Sequence, residues 1–374
     1  MSAFMNFAFL SGKPPKPNGR SVAVIGAGPS GLAAAGYLAS IGYKVDLYDK
    51  LPKAGGLMVF GIPGHRIPEE RILDGVAHLE AQYGVTFHPC TKICGSEPLN
   101  GEAGDHFSAN LVSLGELGRE HDAVIICTGS WKSRKMGVPG EHLPGVLSGL
   151  EYLFPIRAAR YAADHIAPID VAGRRVVVVG AGHSAVDVAH SAVAHGAKAV
   201  TMLYRRTRAE APCGSYEVTQ LQERGVRWME LATPVRVLGT DKVEGLEYVQ
   251  CTLGAPDRSG RCSFVPEEGS NRVLPADTVV TAIGEIATPP FADDLGLANV
   301  RKGEIHWLQM TRIPGVFVAG DALTGPSKIG KAVYSGLRAA KSLAQWLDLK
   351  ALGRLEEYKE DAVITREDWV EDRI

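Results

Sequence analysis

The sequence predicts an α/β fold in which one chain builds two parallel-sheet units. Two observations carry that expectation. Two strands rich in valine, 22–25 and 176–179, each run into a glycine-rich turn and then a helix. Strand and helix patterns then alternate along most of the chain, the order of a parallel sheet covered by helices. Length agrees, since 374 residues allow two domains of roughly 100–200 residues each.

Composition narrows the class. Hydrophobic residues make up 45% and charged residues 22%, the balance of an ordinary globular protein. The net charge of -2 argues against a nucleic-acid binder. No apolar run approaches the roughly 20 residues that cross a bilayer. The apolar start of the chain has neither a basic region before it nor a small-residue cleavage site after it, so a secretory signal is not expected. The six cysteines contain no CxxC pair, and Cys90 and Cys94 have no His or Cys cluster beside them, so no metal site is assigned. Reduced thiols in a cytoplasmic protein are the expectation.

Residues 1–20 read as an N-terminal arm, apolar at first and then a Pro-, Gly- and Lys-rich linker. A strand over 21–25, a helix over 30–41 closed by Gly42, and a strand over 44–48 ending at Asp49 complete a first βαβ unit. A glycine- and proline-packed loop, 55–68, precedes an amphipathic helix over 69–83 and a short strand at 85–88. The apolar run 123–127 is a buried strand that ends in Thr128-Gly129, and a helix is expected over 148–161. The second βαβ unit is a strand over 174–180, a helix over 184–195 and a strand over 199–204. After a helix at 216–224 and a strand at 226–230, segments 234–238, 243–253 and 264–265 look antiparallel, with glycine turns. A buried strand at 277–282 ends in Ile283-Gly284. The last block starts near Phe291, with a strand at 316–319 running into Gly320-Asp321 and a long helix over 329–347. The charged tail 350–374 is a solvated helix or a docking segment.

The two turns carry chemistry. Gly26, Gly28 and Gly31, with Pro29 and Ser30 between them, have G-x-G-x-x-G spacing. The first glycine permits the tight turn, the second lets a pyrophosphate approach the backbone, and the third lets helix and strand pack closely. The helix N-terminus adds free N–H groups and partial positive charge. Asp49 suits ribose hydroxyls, and Lys50 is taken with it as a candidate. In the second turn Gly180 and Gly182 are followed by His183, Ser184 and, in the third glycine position, Ala185. No acid ends its second strand; Tyr204-Arg205-Arg206-Thr207-Arg208 stands there instead. Guanidinium groups suit a phosphate dianion, so this site should take a 2′-phosphorylated ribose, with Arg205 and Arg206 first in line. Two dinucleotides in one chain point to a flavin and a nicotinamide, here FAD and NADP(H). Spacing alone leaves Gly320-Asp321 open between a flavin-binding acid and an ordinary turn. His183 could touch the coenzyme or be a plain turn residue. Lys328 and Lys331 could offset a flavin anion or be solvated, and Glu210 is a weak candidate for the nicotinamide end.

The order of these motifs resembles the glutamate synthase small (beta) subunit family. That family includes the flavin subunits of NADPH:ferredoxin oxidoreductases, within the glutathione reductase-like two-dinucleotide fold. The resemblance rests on Gly26–Leu32, Gly55-Gly56-Leu57 with Gly61-Ile62-Pro63, Thr128-Gly129, the second turn with Tyr204-Arg205-Arg206, Ala282-Ile283-Gly284 and Gly320-Asp321. It implies an FAD domain split into 21–166 and 287–349 around an inserted NAD(P)H domain at 167–286. It also implies that Gly56, Leu57, Gly61 and Ile62 lie near the isoalloxazine, with Arg66 in the flavin region. Thr128 and Gly129 match a loop passing the FAD and Asp321 the acid of the ribityl region, and Gly284, part of the shared motif order, is taken as a further cofactor-binding candidate. Relatives usually carry an N-terminal domain with two [4Fe–4S] clusters. Only about 20 residues precede the first strand here, and no C-x-x-C-x-x-C run occurs. A ferredoxin or Fe–S companion subunit is therefore the expected partner. No protein acid or base is needed to move a hydride between nicotinamide C4 and flavin N5, so no catalytic side chain is assigned. A glutamate synthase small subunit, a stand-alone flavin reductase and a non-enzymatic flavin scaffold are the alternatives. Disulfide reduction is disfavoured because no cysteine pair flanks a nucleotide turn.

Overall fold

Strands that are apolar on both faces need cover on both faces, and the chain supplies it twice. The structure, a computed structural model, describes residues 5–8, 15–94, 101–161, 166–256, 261–286 and 308–357. These fall into two units, one within 1–60, 64–132 and 286–374, the other within 61–63 and 133–285. The expected segment around Phe291, most of the tail and its Trp369 lie outside the described residues.

The first unit opens with β1 (Ser21–Ile25), α1 (Pro29–Ser40), β2 (Lys44–Tyr48), α2 (Leu57–Phe60) and α3 (Glu69–Tyr83). It continues through β3 (Thr86–His88), β4 (Thr91–Cys94), β5 (Asn110–Ser113), α4 (Leu114–Glu120) and β6 (Ala123–Ile126). A two-residue strand, β7 (Lys132–Ser133), marks the passage to the second unit. That unit holds β8 (Val146–Ser148), α5 (Gly149–Ala158), β9 (Arg175–Val179), α6 (His183–Ala194), β10 (Ala199–Leu203), α7 (Ser215–Glu223) and β11 (Arg227–Met229). It ends with β12 (Ala232–Leu238), β13 (Gly245–Pro256), β14 (Cys262–Pro266), β15 (Arg272–Pro275), β16 (Thr278–Thr281) and β17 (Glu285–Ile286). The chain returns to the first unit with β18 (Val316–Val318), the short α8 (Asp321–Thr324) and α9 (Ile329–Leu352).

The main sheet of the first unit has the order β18-β6-β1-β2-β3, all parallel. The sequence-distant β18 thus lies beside β6, and the glycine turn after β1 opens at the C-terminal edge of the sheet centre. Such an edge is where ligands bind in open α/β sheets. Helix α1 packs against α9 at unusually short range, because a Cβ on Gly336 would collide with the Ser30 carbonyl. Residues 5–8 are built into this unit as well. Phe7 is 2% exposed, Met5 N–H donates to the Arg71 carbonyl, and the Met5 and Phe7 carbonyls occupy the space that a Cβ would need on Gly75 and Gly36.

The second unit has a parallel sheet ordered β11-β10-β9-β16-β8 and an antiparallel sheet, β12-β13-β14, with β15 also on β13. It starts at residue 133, whereas the sequence assigns 133–166 to the first unit. The reason is β8, which pairs in parallel with β16 and carries α5 with it. Helix α4 goes undetected by periodicity because LGELGRE has two glycines and buries only Leu117. Its legible signal is a capping box, in which Ser113 and Glu116 satisfy each other's backbone N–H groups. Helix α9 runs five residues past the expected 347, and Gly353, at φ 66°, stops it.

Replacing Gly336 with Ala should destabilise the protein by about 1–3 kcal/mol, the usual cost of overpacking. The same change at Gly330, whose missing Cβ faces open space in the same helix, should be neutral or slightly stabilising. Urea unfolding of both variants checks the pair.

Candidate functional site

The first turn is bare backbone by construction. Gly26 has φ 101°, and a Cβ there would strike the Cys127 carbonyl. A Cβ on Gly31 would strike the Gly26 carbonyl, so all three glycine positions expected from the spacing differ in role. Gly28 instead faces Gly56, whose own Cβ would stand 2.9 Å from the Gly28 Cα. The loop before α2 is tied there by Gly55 N–H donating to the Ala27 carbonyl at 2.7 Å. Main chain thus packs on main chain, half-buried Gly28 against buried Gly56, beside the start of α1, where Pro29 and Ser30 form the first helical positions and no side chain caps the N-terminus. The unfilled N–H groups suit a pyrophosphate.

Of the other expected residues, Thr128 and Gly320 reach this turn, the first beside Gly26 and the second against Ser30. Thr128 follows β6, and its Oγ1 is buried without a hydrogen-bond partner, a donor and acceptor waiting for a ligand. Gly129, at φ 75°, continues that loop. Gly320, at φ 64°, presses on Ser30, and its N–H donates to Ser335 Oγ at 2.9 Å. Asp321 starts α8; burial raises its pKa, against a 2.6 Å hydrogen bond from Ser327 Oγ. Leu57 opens α2, and Lys331 is exposed in the first turn of α9. Gly61 and Ile62 belong to the second unit, so the Gly55–Pro68 loop divides between the two units. Arg66 is half-buried in the first, with its Nε shielded from water.

Two expected contacts prove to be structural in the first instance. Asp49 is buried, and both carboxylate oxygens already accept backbone N–H groups, from Ala27 at 2.6 Å and Leu51 at 2.9 Å. Burial raises its pKa despite those bonds. Each oxygen keeps one further lone-pair direction for a ribose hydroxyl. Lys50 is not an exposed cation for a phosphate. Its Nζ lies 3.0 Å from Glu102 and 3.1 Å from Asp105, and 4.1 Å from the centroid of the Trp131 ring. Trp131 Nε1–H in turn donates to the Thr128 carbonyl at 2.7 Å. Lys92 shares Asp105 at 2.7 Å. The sequence offers no periodic signal for this network, because its members come from a strand end, a loop and a 3-10 turn.

The second turn repeats the first with one change. A Cβ on Gly180, at φ 131°, would strike the Ala282 carbonyl, while Gly182 faces open space. Ala185 is tolerated because its Cβ stays 3.7 Å from the Cβ position of Gly180. His183 and Ser184 are exposed at the start of α6, whose N-terminus again has no side-chain cap. Gly284, at φ 103°, lies beside Arg134.

The arginines after β10 separate. Arg205 is exposed, with its guanidinium 4.6 Å from the Phe264 ring centroid. Arg206 is only 5% exposed, and its Nε–H donates to the Cys262 carbonyl. Arg208 is taken up by Gln222 Oε1, the Ser215 carbonyl and Thr219 Oγ1, so it braces α7. Glu210 closes a capping box with Thr207 and bonds Cys262. The sequence misses Cys262 and Phe264, which reach this turn from an antiparallel strand more than fifty residues away. Among the described residues no group of three or more His, Cys, Asp or Glu is arranged to hold a metal ion. No described helix is long and apolar enough to cross a membrane.

The model of the pyridine nucleotide-disulphide oxidoreductase family matches residues 20–336. The chain is 38% identical to the NADP(+)-dependent formate dehydrogenase subunit beta of Moorella thermoacetica over 88% of its own length and 44% of that protein's. It is 36% identical to the glutamate synthase [NADPH] small chain of Azospirillum brasilense over 90% of its length and 69% of that chain. Among solved structures, FprA of Mycobacterium tuberculosis in complex with NADPH superposes with a TM-score of 0.71 at 21% identity, covering 96% of this chain and 90% of that one.

The Lys50 network yields a prediction. Lys50→Met should cost about 1–3 kcal/mol at pH 7, because it strips a partner from the half-buried Asp105. Burial raises the Asp105 pKa, but Lys92 and Lys50 lower it further, and the net shift is downward. The stabilisation is therefore complete above the usual carboxylate range and fades as pH falls through it. The difference between wild type and variant in urea unfolding should hold level from pH 7 to about pH 5 and shrink only below about pH 4.

Proposed function

We propose, for a chain that belongs to the pyridine nucleotide-disulphide oxidoreductase family in the branch of the glutamate synthase small chains, the role of an FAD-dependent NADPH oxidoreductase subunit. The observation that carries this is the pair of strand–glycine turn–helix cradles, one with an acid after its second strand and one with arginines. The first cradle holds FAD. Main-chain N–H groups of 28–31 take its pyrophosphate, Asp49 keeps the turn in shape and offers its remaining lone pairs to ribose, and Thr128 Oγ1 finds the partner it lacks. Asp321 serves the ribityl region, and α9 with Lys331 brings positive charge to the ring. Gly56, Leu57, Gly61, Ile62 and Arg66 line the ring's surroundings.

The second cradle holds NADPH. Gly180, Gly182, His183, Ser184 and Ala185 shape the pyrophosphate site, and Arg205 meets the 2′-phosphate. Arg206, buried and bonded to Cys262, adds its charge from behind. FAD, when bound, takes a hydride from the nicotinamide and can release electrons singly. The protein's part is to orient both cofactors and to bias the charge around them.

The acceptor we assign is an Fe–S companion subunit or a ferredoxin. Relatives named as the beta subunit of a formate dehydrogenase and the small chain of a glutamate synthase support a role as one part of an assembly. The 36% identity to the latter makes a glutamate synthase small chain the second reading. Six free cysteines suit the reducing cytoplasm, where we place the protein.

Arg205→Ala should raise KM for NADPH roughly 10- to 100-fold, the worth of a charged hydrogen bond at about 1.5–3 kcal/mol. KM for NADH and kcat should stay within twofold. Steady-state kinetics with both coenzymes decides it, and equal losses would remove Arg205 from the 2′-phosphate.

A further inference from the structure

The basic turn after β10 is gripped by a single strand from the antiparallel sheet. Cys262 and Phe264 are two apart on β14 and so share one face of it. The Cys262 carbonyl accepts from Arg206, its thiol bonds the Glu210 carboxylate, and the Phe264 ring carries the Arg205 guanidinium. Arg261, the residue before the strand, adds a third guanidinium to the field felt by Arg205. Partial desolvation and the neighbouring charges of Arg206 and Arg261 lower the Arg205 pKa, and a dianion bound beside it would offset them.

Resting on the assignment of NADPH to the second cradle, we propose that β14 sets coenzyme choice. Phe264 is a positioning residue that holds Arg205 ready for the 2′-phosphate. A free arginine loses rotamer freedom when it grips a ligand, and an aromatic face underneath has removed that freedom beforehand. Stacking uses the flat face of the guanidinium and leaves its N–H edge directed at a bidentate acceptor. The same strand fixes the neighbours, through Arg206 on one side and Glu210 on the other.

The test is calorimetric titration of the full chain with adenosine 2′,5′-bisphosphate and with 5′-AMP, alongside the flavin content of each preparation. Phe264→Leu, which keeps apolar volume but removes the π face, should weaken the bisphosphate about 3- to 10-fold and leave 5′-AMP within twofold. Phe264→Tyr should restore wild-type binding. Flavin content should be unchanged throughout. Equal weakening of both nucleotides by Phe264→Leu would make Phe264 a mere packing residue and overturn the proposal. So would wild-type preference in Phe264→Leu while Arg205→Ala loses it, an outcome that leaves the NADPH assignment standing. Unchanged preference in Arg205→Ala would instead sink that assignment itself.

Discussion

Close approach of main chain to main chain at the first glycine turn is the constraint on which the first unit depends. Gly26 lets the turn lie against the end of β6, Gly31 lets α1 fold back over the turn, and Gly336 lets α9 cross α1 at Ser30. Each contact replaces a side chain with a carbonyl oxygen. Together they bring β1, β6, α1, β18 and α9 to one point without filling the space above it. Asp49 closes the arrangement from below, since its two oxygens tie the turn to the residue after β2. A nucleotide site here is less a pocket carved into the unit than the gap left when these elements meet.

The second unit keeps the same plan but changes what borders it. Where the first unit places a buried carboxylate, the second places arginines, and it adds an antiparallel sheet whose strand β14 steadies them. Charge and support are thus supplied by different parts of the chain. The parallel sheet provides the cradle and the helix N-terminus, while the added sheet governs the side chains that read the ribose.

Local pattern made most of this legible. Strands 21–25, 44–48 and the helix 69–83 could be read to the residue, because buried parallel strands are continuous apolar runs and α3 has a clean stripe bounded by Pro68 and Gly84. The glycine positions followed from spacing. What escaped was long-range. Lys50 reads as a cofactor contact until Glu102 and Asp105 are seen beside it. Arg205 and Arg206 look equivalent in sequence, yet one is exposed on an aromatic face and the other buried against a carbonyl, because successive side chains leave the strand end in different directions. The unit boundary was misplaced because β8, three residues long, has no pattern of its own and is defined only by its pairing with β16.

The four residues ahead of the linker give the first unit an unusual dependence. Gly36 and Gly75 lie inside helices, where alanine is ordinarily the better residue. In this protein the missing methyl groups make room for the carbonyls of Phe7 and Met5. Two helix interiors therefore depend on the carbonyls of Met5 and Phe7, far away in the chain. In a homologue whose leading segment takes another path, both glycines would be released to become alanine, and their joint replacement would mark, in an alignment, the branches in which that segment has been rerouted.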